Sequence, residues 1–328
     1  MLVSCDEPDM QCKKQAKIKT TQLVTGFEEF QGSAIGPGAD LYVTAPLTGS
    51  IWRIDRKTGK TGVFATGLPA RVPDPYFQGS GVVDVAFLGG KAYALVTGVA
   101  PDMGGDDVVG IYRMDSPNTF TVIADIGAWS TAHPPATPIF ISTGYQYAIQ
   151  TYKNGFIVTD GHHNRVLQVG TDGKITELVA FDNVVPTGLA LQGHTVYLGK
   201  AGPIPHLPED SKVFSFTMQS LMPRQLASGA GLENVGLLVD VEFGPGGALF
   251  GILQGYWDGP WDGAPAEPNT GALVKVNADG TFTILKEGLN QPTSLEIMGT
   301  TAYVVGLAGE VWTLEMSTSR ACRGWYEQ

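Results

Sequence analysis

Three strand patterns recur six times along the chain, and they recur out of phase with its ends. An alternating strand closing on an aromatic or branched residue appears at Ser50-Ile51-Trp52-Arg53-Ile54, Gly110-Ile111-Tyr112-Arg113-Met114, Arg165-Val166-Leu167-Gln168-Val169, Lys212-Val213-Phe214-Ser215-Phe216, Ala272-Leu273-Val274-Lys275-Val276 and Glu310-Val311-Trp312-Thr313-Leu314. Ahead of each lies a hairpin of two strands, beginning at Ser33, Asp84, Tyr147, Thr187, Asp240 and Thr293. The third pattern is a short outer strand such as Thr61-Gly62-Val63-Phe64 or Phe282-Thr283-Ile284-Leu285. One copy, Thr21-Gln22-Leu23-Val24, precedes the first hairpin, and none follows Leu314. A linear stack would leave the last unit one strand short, with an open edge of unpaired backbone groups. Closing the array into a ring lets the N-terminal strand fill that gap. The sequence therefore predicts an all-β fold: a six-bladed β-propeller of four-stranded antiparallel blades over residues 21–316, with tails at 1–20 and 317–328. A β-sandwich does not repeat a four-strand unit every ~40 to 60 residues, and a β-helix repeats at much shorter spacing.

The 43 glycines and 21 prolines among 328 residues suit many short strands joined by turns. A formal net charge of -11 argues against nucleic acid as a partner, because that affinity rests on Lys and Arg displacing counterions from phosphates. No apolar run reaches the ~18 to 20 residues of a transmembrane helix. The chain has no nucleophile elbow, no P-loop and no dinucleotide fingerprint between strand and helix, so no nucleotide cofactor is expected. Its three cysteines, Cys5, Cys12 and Cys322, stand outside the repeats. Leu2-Val3-Ser4-Cys5 matches the bacterial lipobox, which would lipidate Cys5, place the protein outside the cytoplasm and leave Cys12 and Cys322 for an oxidising compartment to join. Three unrelated thiols near the termini are the alternative.

Successive strands of a blade run antiparallel, so the connections alternate between the two faces of the disc. The long insertions, Val96 to Val109, Gly127 to Gln146, Thr159 to Asn164, Gly199 to Ser211 and Leu253 to Gly271, all fall on one face, where a ligand site is expected. Four of the five histidines, His133, His162, His163 and His206, lie on that face and are candidate ligands for a transition metal, or else hydrogen-bonded surface residues. Asp84 and Asp240 begin the inner strands of blades two and five, opposite each other across the axis. With Glu28 they are candidate acid–base groups, or calcium ligands at the axis; the structural alternative is that they bond nearby loop amides. Tyr147 enters the funnel beside them. Tyr256, Trp257 and Trp261 share one insertion and form a candidate wall for a ring-shaped ligand, or a self-packed cluster.

The phrases Val82-Val83-Asp84-Val85-Ala86-Phe87, Val185-Pro186-Thr187-Gly188-Leu189-Ala190 and Val239-Asp240-Val241-Glu242-Phe243-Gly244-Pro245-Gly246-Gly247-Ala248-Leu249, with Gly271 to Val276 and Asp279-Gly280-Thr281, resemble the ScyD/ScyE family of extracytoplasmic propellers from about Thr21 to Leu314. The individual phrases are shared with NHL-type and gluconolactonase-like rings. The resemblance implies a six-bladed exported propeller and, in cyanobacterial relatives, a part in making the indole-phenol pigment scytonemin, one member being associated with late oxidative coupling of its monomer. Asp160-Gly161-His162-His163-Asn164 and the Trp-rich blade-five insertion depart from the family's usual phrases.

Three functions stay open on this reading. The favoured one is a metal-dependent oxidoreductase acting on an aromatic or cyclic small molecule. The others are a non-catalytic propeller that binds a ligand or protein, and a calcium-dependent lactone hydrolase using the axial acids.

Overall fold

A computed structural model describes residues 18–73, 80–136, 141–259 and 263–316. Trp261 and all three cysteines lie outside the described residues. The first strand, β1 (Lys19–Val24), stands apart from the four that follow it in chain order. Blade one is β2 (Ser33–Ile35), β3 (Leu41–Ala45), β4 (Ser50–Ile54) and β5 (Thr61–Ala65). Blade two is β6 (Gly81–Leu88), β7 (Lys91–Thr97), β8 (Gly110–Ser116) and β9 (Thr119–Asp125). A short helix, α1 (Ile126–Ala132), follows, its N-terminus capped by Asp125, which accepts a 2.7 Å hydrogen bond from the Ala128 amide. Blade three is β10 (Gln146–Tyr152), β11 (Gly155–Asp160), β12 (Arg165–Gly170) and β13 (Ile175–Ala180). Blade four is β14 (Pro186–Gln192), β15 (Thr195–Lys200), β16 (Lys212–Thr217) and β17 (Ser220–Ser228). Blade five is β18 (Gly236–Phe243), β19 (Leu249–Gly255), β20 (Gly271–Val276) and β21 (Phe282–Leu289). Blade six has β22 (Pro292–Met298), β23 (Thr301–Gly306) and β24 (Glu310–Glu315), and its fourth strand is β1, paired antiparallel with β24. The ring closes as the strand offset requires. Among the described residues no helix is long and apolar enough to cross a membrane.

Alternation explains why the blades stack. Consecutive residues of a strand face opposite sides of its sheet, and in a propeller both sides meet a neighbouring blade, so both must be apolar. In β6, Val82 and Val85 pack toward blade one with Tyr42 and Ile51, while Val83 and Ala86 pack toward blade three with Ile149 and Phe156. The same division yields one buried apolar layer between each adjacent pair of blades, the last closing blade six onto blade one through Val24, Val305 and Val311 against Leu41 and Val43. Each fully buried aliphatic side chain in these layers contributes roughly 1.5–3 kcal/mol.

Near the axis, polar bonds between blades take over from apolar packing. Thr44 donates to Val83 O of the next blade at 3.1 Å, Thr159 to Thr187 O at 2.7 Å and Thr187 to Leu238 O at 2.7 Å. The Ser33 and Ser294 hydroxyls, 2.9 Å apart, join blades one and six. In five of the six blades the inner strand slips register against its partner near its start, as between Val82 and Asp84 or between Leu238 and Asp240. Such bulges turn side chains at the strand entrance toward the axis.

Candidate ligand-binding site at the propeller mouth

Three of the five insertions, 127–146, 199–211 and 253–271, contribute to one opening. Tyr145 and Val185, from loops that enter inner strands, line a cavity of about 150 Å³ together with Ala201 and His206 of the β15–β16 loop, Gln254 and Ala264 of the β19–β20 segment, and Leu307 of the β23–β24 turn. Gln31, Tyr147, Val239 and Thr293 line both this cavity and a narrower one below it on the axis, so they form the neck between mouth and tunnel. Three non-glycine residues of the mouth wall hold left-handed backbone: Val185 (φ 50°), Leu237 (φ 57°) and His206 (φ 57°). That conformation is costly for Leu and most of all for β-branched Val, and such strain concentrates where a structure is shaped for a ligand.

His206 is the candidate base of this mouth. Its Nδ1 lies 2.8 Å from Gly202 O, and a carbonyl only accepts, so Nδ1 carries the proton and Nε2 the lone pair of the neutral ring. The edge of His206 meets the Trp257 ring at 5.2 Å and 88°. Across the mouth, Tyr147 Oη and His162 Nε2 share a 3.2 Å hydrogen bond, and Tyr145 packs against both rings. Burial holds the Tyr145 and Tyr147 phenols above their ordinary pKa, so both stay protonated and Tyr147 can donate. His162 and His206 thus belong to the same face.

The other two histidines serve the frame. His163 is 3% exposed. Its Nε2 donates to Ile141 O at 2.9 Å, and its Nδ1 lies 3.1 Å from the Asp160 carboxylate and 2.8 Å from Arg165 Nη2. Arg165 is the hub of that network, bonding Asp160 at 2.9 Å, Ser130 at 2.9 Å and His133 O at 2.7 Å while lying over the Trp129 ring. Asp160 completes it by accepting from the Tyr145 amide at 3.1 Å, which fixes that tyrosine at the mouth. Burial works against the Asp160 charge, but His163 and Arg165 outweigh it and hold its carboxyl below the ordinary range. His133 sits exposed at the end of α1, stacked on Trp129 and bonded through Nδ1 to Trp129 O.

The four histidines expected to hold a transition metal are therefore not brought together: two flank the mouth, one is locked in the Arg165 network and one lies beyond it. Among the described residues no group of three or more His, Cys, Asp or Glu side chains is placed to hold an ion. The donor set does not fit a histidine-built centre, since both His163 nitrogens are already spent on protein partners.

The axial carboxyls are placed where expected, with their oxygens engaged. Asp84 accepts from the Val85 and Ile149 amides at 2.8 Å each, and Asp240 from the Val241 and Leu295 amides at 2.8 Å each, with Ser294 at 3.3 Å. This is the amide-bonding alternative, extended so that each aspartate ties its blade to the next. Glu242 and Glu296, which the sequence reading did not single out, join them around the tunnel. Burial raises Asp240 and Glu242 to about 7, and raises Asp84 and Glu296 well above the ordinary range, Glu296 being pushed further by the neighbouring carboxyls. Glu28 is exposed; its neighbour Glu29 is buried, paired with Arg71 and raised to about 7 by burial in spite of that cation.

The aromatic insertion divides. Trp257 is 9% exposed, its Nε1 donates to Ala264 O at 2.9 Å, and it packs with Ala201, Leu237 and Ala266, so it braces the mouth wall. Tyr256 points outward, 45% exposed.

No protein-family model and no curated protein matches the chain. Solved structures do. A gluconolactonase from Xanthomonas campestris superposes with a TM-score of 0.63 at 12% identity, covering 95% of this chain and 96% of its own. The PQQ-bound aldose sugar dehydrogenase of Streptomyces coelicolor gives 0.60 at 13%, covering 92% and 98%. Virginiamycin B lyase from Staphylococcus aureus gives 0.55 at 12%, covering 92% and 99%. At such identities the likeness establishes the shared ring architecture, a scaffold on which these neighbours are enzymes.

Proposed function

We propose that this chain is a propeller enzyme that binds a small aromatic or cyclic molecule in the mouth cavity and moves a proton on it, with His206 Nε2 as base and the Tyr147–His162 pair as donor. The observation that carries the reading is His206, a strained residue whose ring is fixed in one tautomer by Gly202 O at the wall of a tyrosine-lined cavity. A flat ring fits between the two tyrosines and Leu237, because aromatic and aliphatic walls reward burial of a planar apolar surface. The resemblance to the ScyD/ScyE family supports an aromatic ligand and an extracytoplasmic home, and the Leu2-Val3-Ser4-Cys5 pattern supports the same location. The structural likeness to a gluconolactonase and a virginiamycin B lyase supports catalysis on a propeller of this kind.

A non-catalytic binding propeller is the second reading. It is favoured by the use of His163, Asp84 and Asp240 in holding the frame together.

Ligand-observed NMR with p-cresol, indole and δ-valerolactone tests the cavity, and turnover of any binder tests the chemistry. The expected result is binding of at least one ring, turnover that falls at least ~100-fold in His206→Gln, and a smaller fall in Tyr147→Phe. Turnover unchanged in both variants overturns the assignment of roles, and binding without turnover favours the second reading.

A further inference from the structure

A second cavity, of about 290 Å³, lies outward of the mouth between the blade-four and blade-five loops. His206 lines both cavities and so stands in the wall they share. Trp257 backs the outer cavity with a ring that the Ala264 bond keeps in place, and Asp258 and Asn234 supply polar groups at its edge.

The rim is unusually apolar for an exposed surface. Leu207 is 44% exposed and Tyr256 45%, and Ile204, at 48%, precedes the same loop segment. Isolated exposed apolar residues need no explanation, but two on one cleft, with a third at its approach, mark a surface shaped to be covered. Volume decides what covers it. Sites that enclose a drug-sized molecule run to ~300–1,000 Å³; the mouth falls well short of that range and the outer cleft only meets its lower bound, whereas the two taken together lie within it.

We infer that the mouth and the outer cleft are two halves of one site, built for a ligand of two ring-sized apolar parts joined by a short linker that passes His206. The inference rests on the mouth being a ring-binding site, and it adds the class of molecule: one ring between Tyr145, Tyr147 and Leu237, the other between Trp257, Leu207 and Tyr256. The acidic edge at Asp258 selects a neutral or cationic outer ring over an anionic one. The linker then lies beside the His206 imidazole, at the reacting position of the proposed chemistry.

Calorimetric titration of the intact chain with p-cresol, a single ring, and bisphenol F, two phenol rings on a one-carbon linker, tests this. Bisphenol F is expected to bind at least ~10-fold more tightly than p-cresol. Leu207→Ser and Tyr256→Ala, both at exposed side chains, should each erode that advantage and leave p-cresol binding unchanged. Equal affinity for the two probes, or an advantage that survives in both variants, overturns the two-part site while leaving the mouth reading intact. Binding of neither probe overturns the two-part site, and the mouth reading falls with it only if indole and δ-valerolactone also fail to bind.

Discussion

Gly188 of blade four lies so close to Asp240 of blade five that a Cβ on the glycine would collide with the Asp240 carboxylate and Cα. Half a ring away, Gly32 stands in the same relation to Asp84. Each aspartate therefore leans on a glycine of the preceding blade and accepts an amide of the following one, Ile149 for Asp84 and Leu295 for Asp240. Replacing the carboxylate by methyl leaves two buried amides without acceptors, at ~1–3 kcal/mol for each unsatisfied group. Asp84→Ala and Asp240→Ala are each expected to cost about 2–4 kcal/mol. The hydrogen-bond losses should add, because the residues share no hydrogen-bond partner, and the double variant should fall short of the full sum only by the charge repulsion between the two carboxyls across the tunnel. Chemical denaturation of the single and double variants checks this; a double variant no worse than either single would show that the aspartates do not hold separate seams.

The axial carboxyls make stability depend on pH. Asp240 and Glu242 titrate near 7 in the folded ring, against ordinary values near 4, because burial penalises their charged forms. A carboxyl with a raised folded pKa contributes its stability below the unfolded value and loses it as pH rises through the folded one. Glu29 moves in the same direction, whereas carboxyls with lowered values, such as Asp160, act below pH ~4. The thermal midpoint should thus fall between about pH 5 and 7. Glu242→Gln keeps the 2.8 Å bond from the Phe243 amide through its carbonyl oxygen and removes the charge. That variant should flatten the slope and melt higher at pH 8, which a fluorimetric melting series would detect.

How much of this was legible in the sequence follows from what a two-residue period can and cannot say. The missing fourth strand of the last blade fixed the ring, because an absent outer strand after Leu314 and a surplus one at Thr21 have a single closed solution. Asp84 and Asp240 were placed at the axis on the same pattern. Glu242 was equally legible, since it follows Asp240 by two residues on the same side of the strand. Glu296 was not, because the slip between Pro292 and Ser294 shifts which residues of β22 reach the axis, and a bulge leaves no trace in alternation. The histidines were placed on the correct face, but which of them meet the mouth depends on the path of long loops. Nothing in Asp160-Gly161-His162-His163 says that one imidazole turns to Tyr147 and the next to Arg165.

Lys200 is 1% exposed, its Nζ lying 3.6 Å from the Phe181 ring centre and 3.4 Å from that of Phe214. Burial, helped by the nearby Lys212 charge, lowers its pKa to about 7. The unfolded chain binds that proton up to about 10.5, so between about 7 and 10.5 the unfolded state holds more protons and stability rises with pH. Lys200→Met keeps the unbranched stem and sets a sulfur against the two rings. It should stabilise the fold by about 1–3 kcal/mol at pH 7 and remove the rise toward pH 10. Urea titrations at pH 7 and 9.5 check both parts. A loss of stability at both pH values would instead assign the site to a cation held by the two phenyl faces.

Ring closure yields the last prediction. Strand β1 contributes Val24, 6% exposed, to the apolar layer between blades six and one, and its backbone covers the outer edge of β24 from Val311 to Glu315. A chain beginning at Thr25 loses that packing, about 1.5–3 kcal/mol for the valine alone, together with a row of strand hydrogen bonds. It also bares an edge strand carrying Trp312 and Leu314, the kind of edge that recruits strands from other molecules. The truncated chain should melt lower and form oligomers in light scattering. A synthetic peptide spanning residues 18–26 should restore the monomer, because an added strand supplies the missing ladder without a covalent link. A truncated chain that stays monomeric with an unchanged midpoint would mean that the three remaining strands of blade six close the ring unaided.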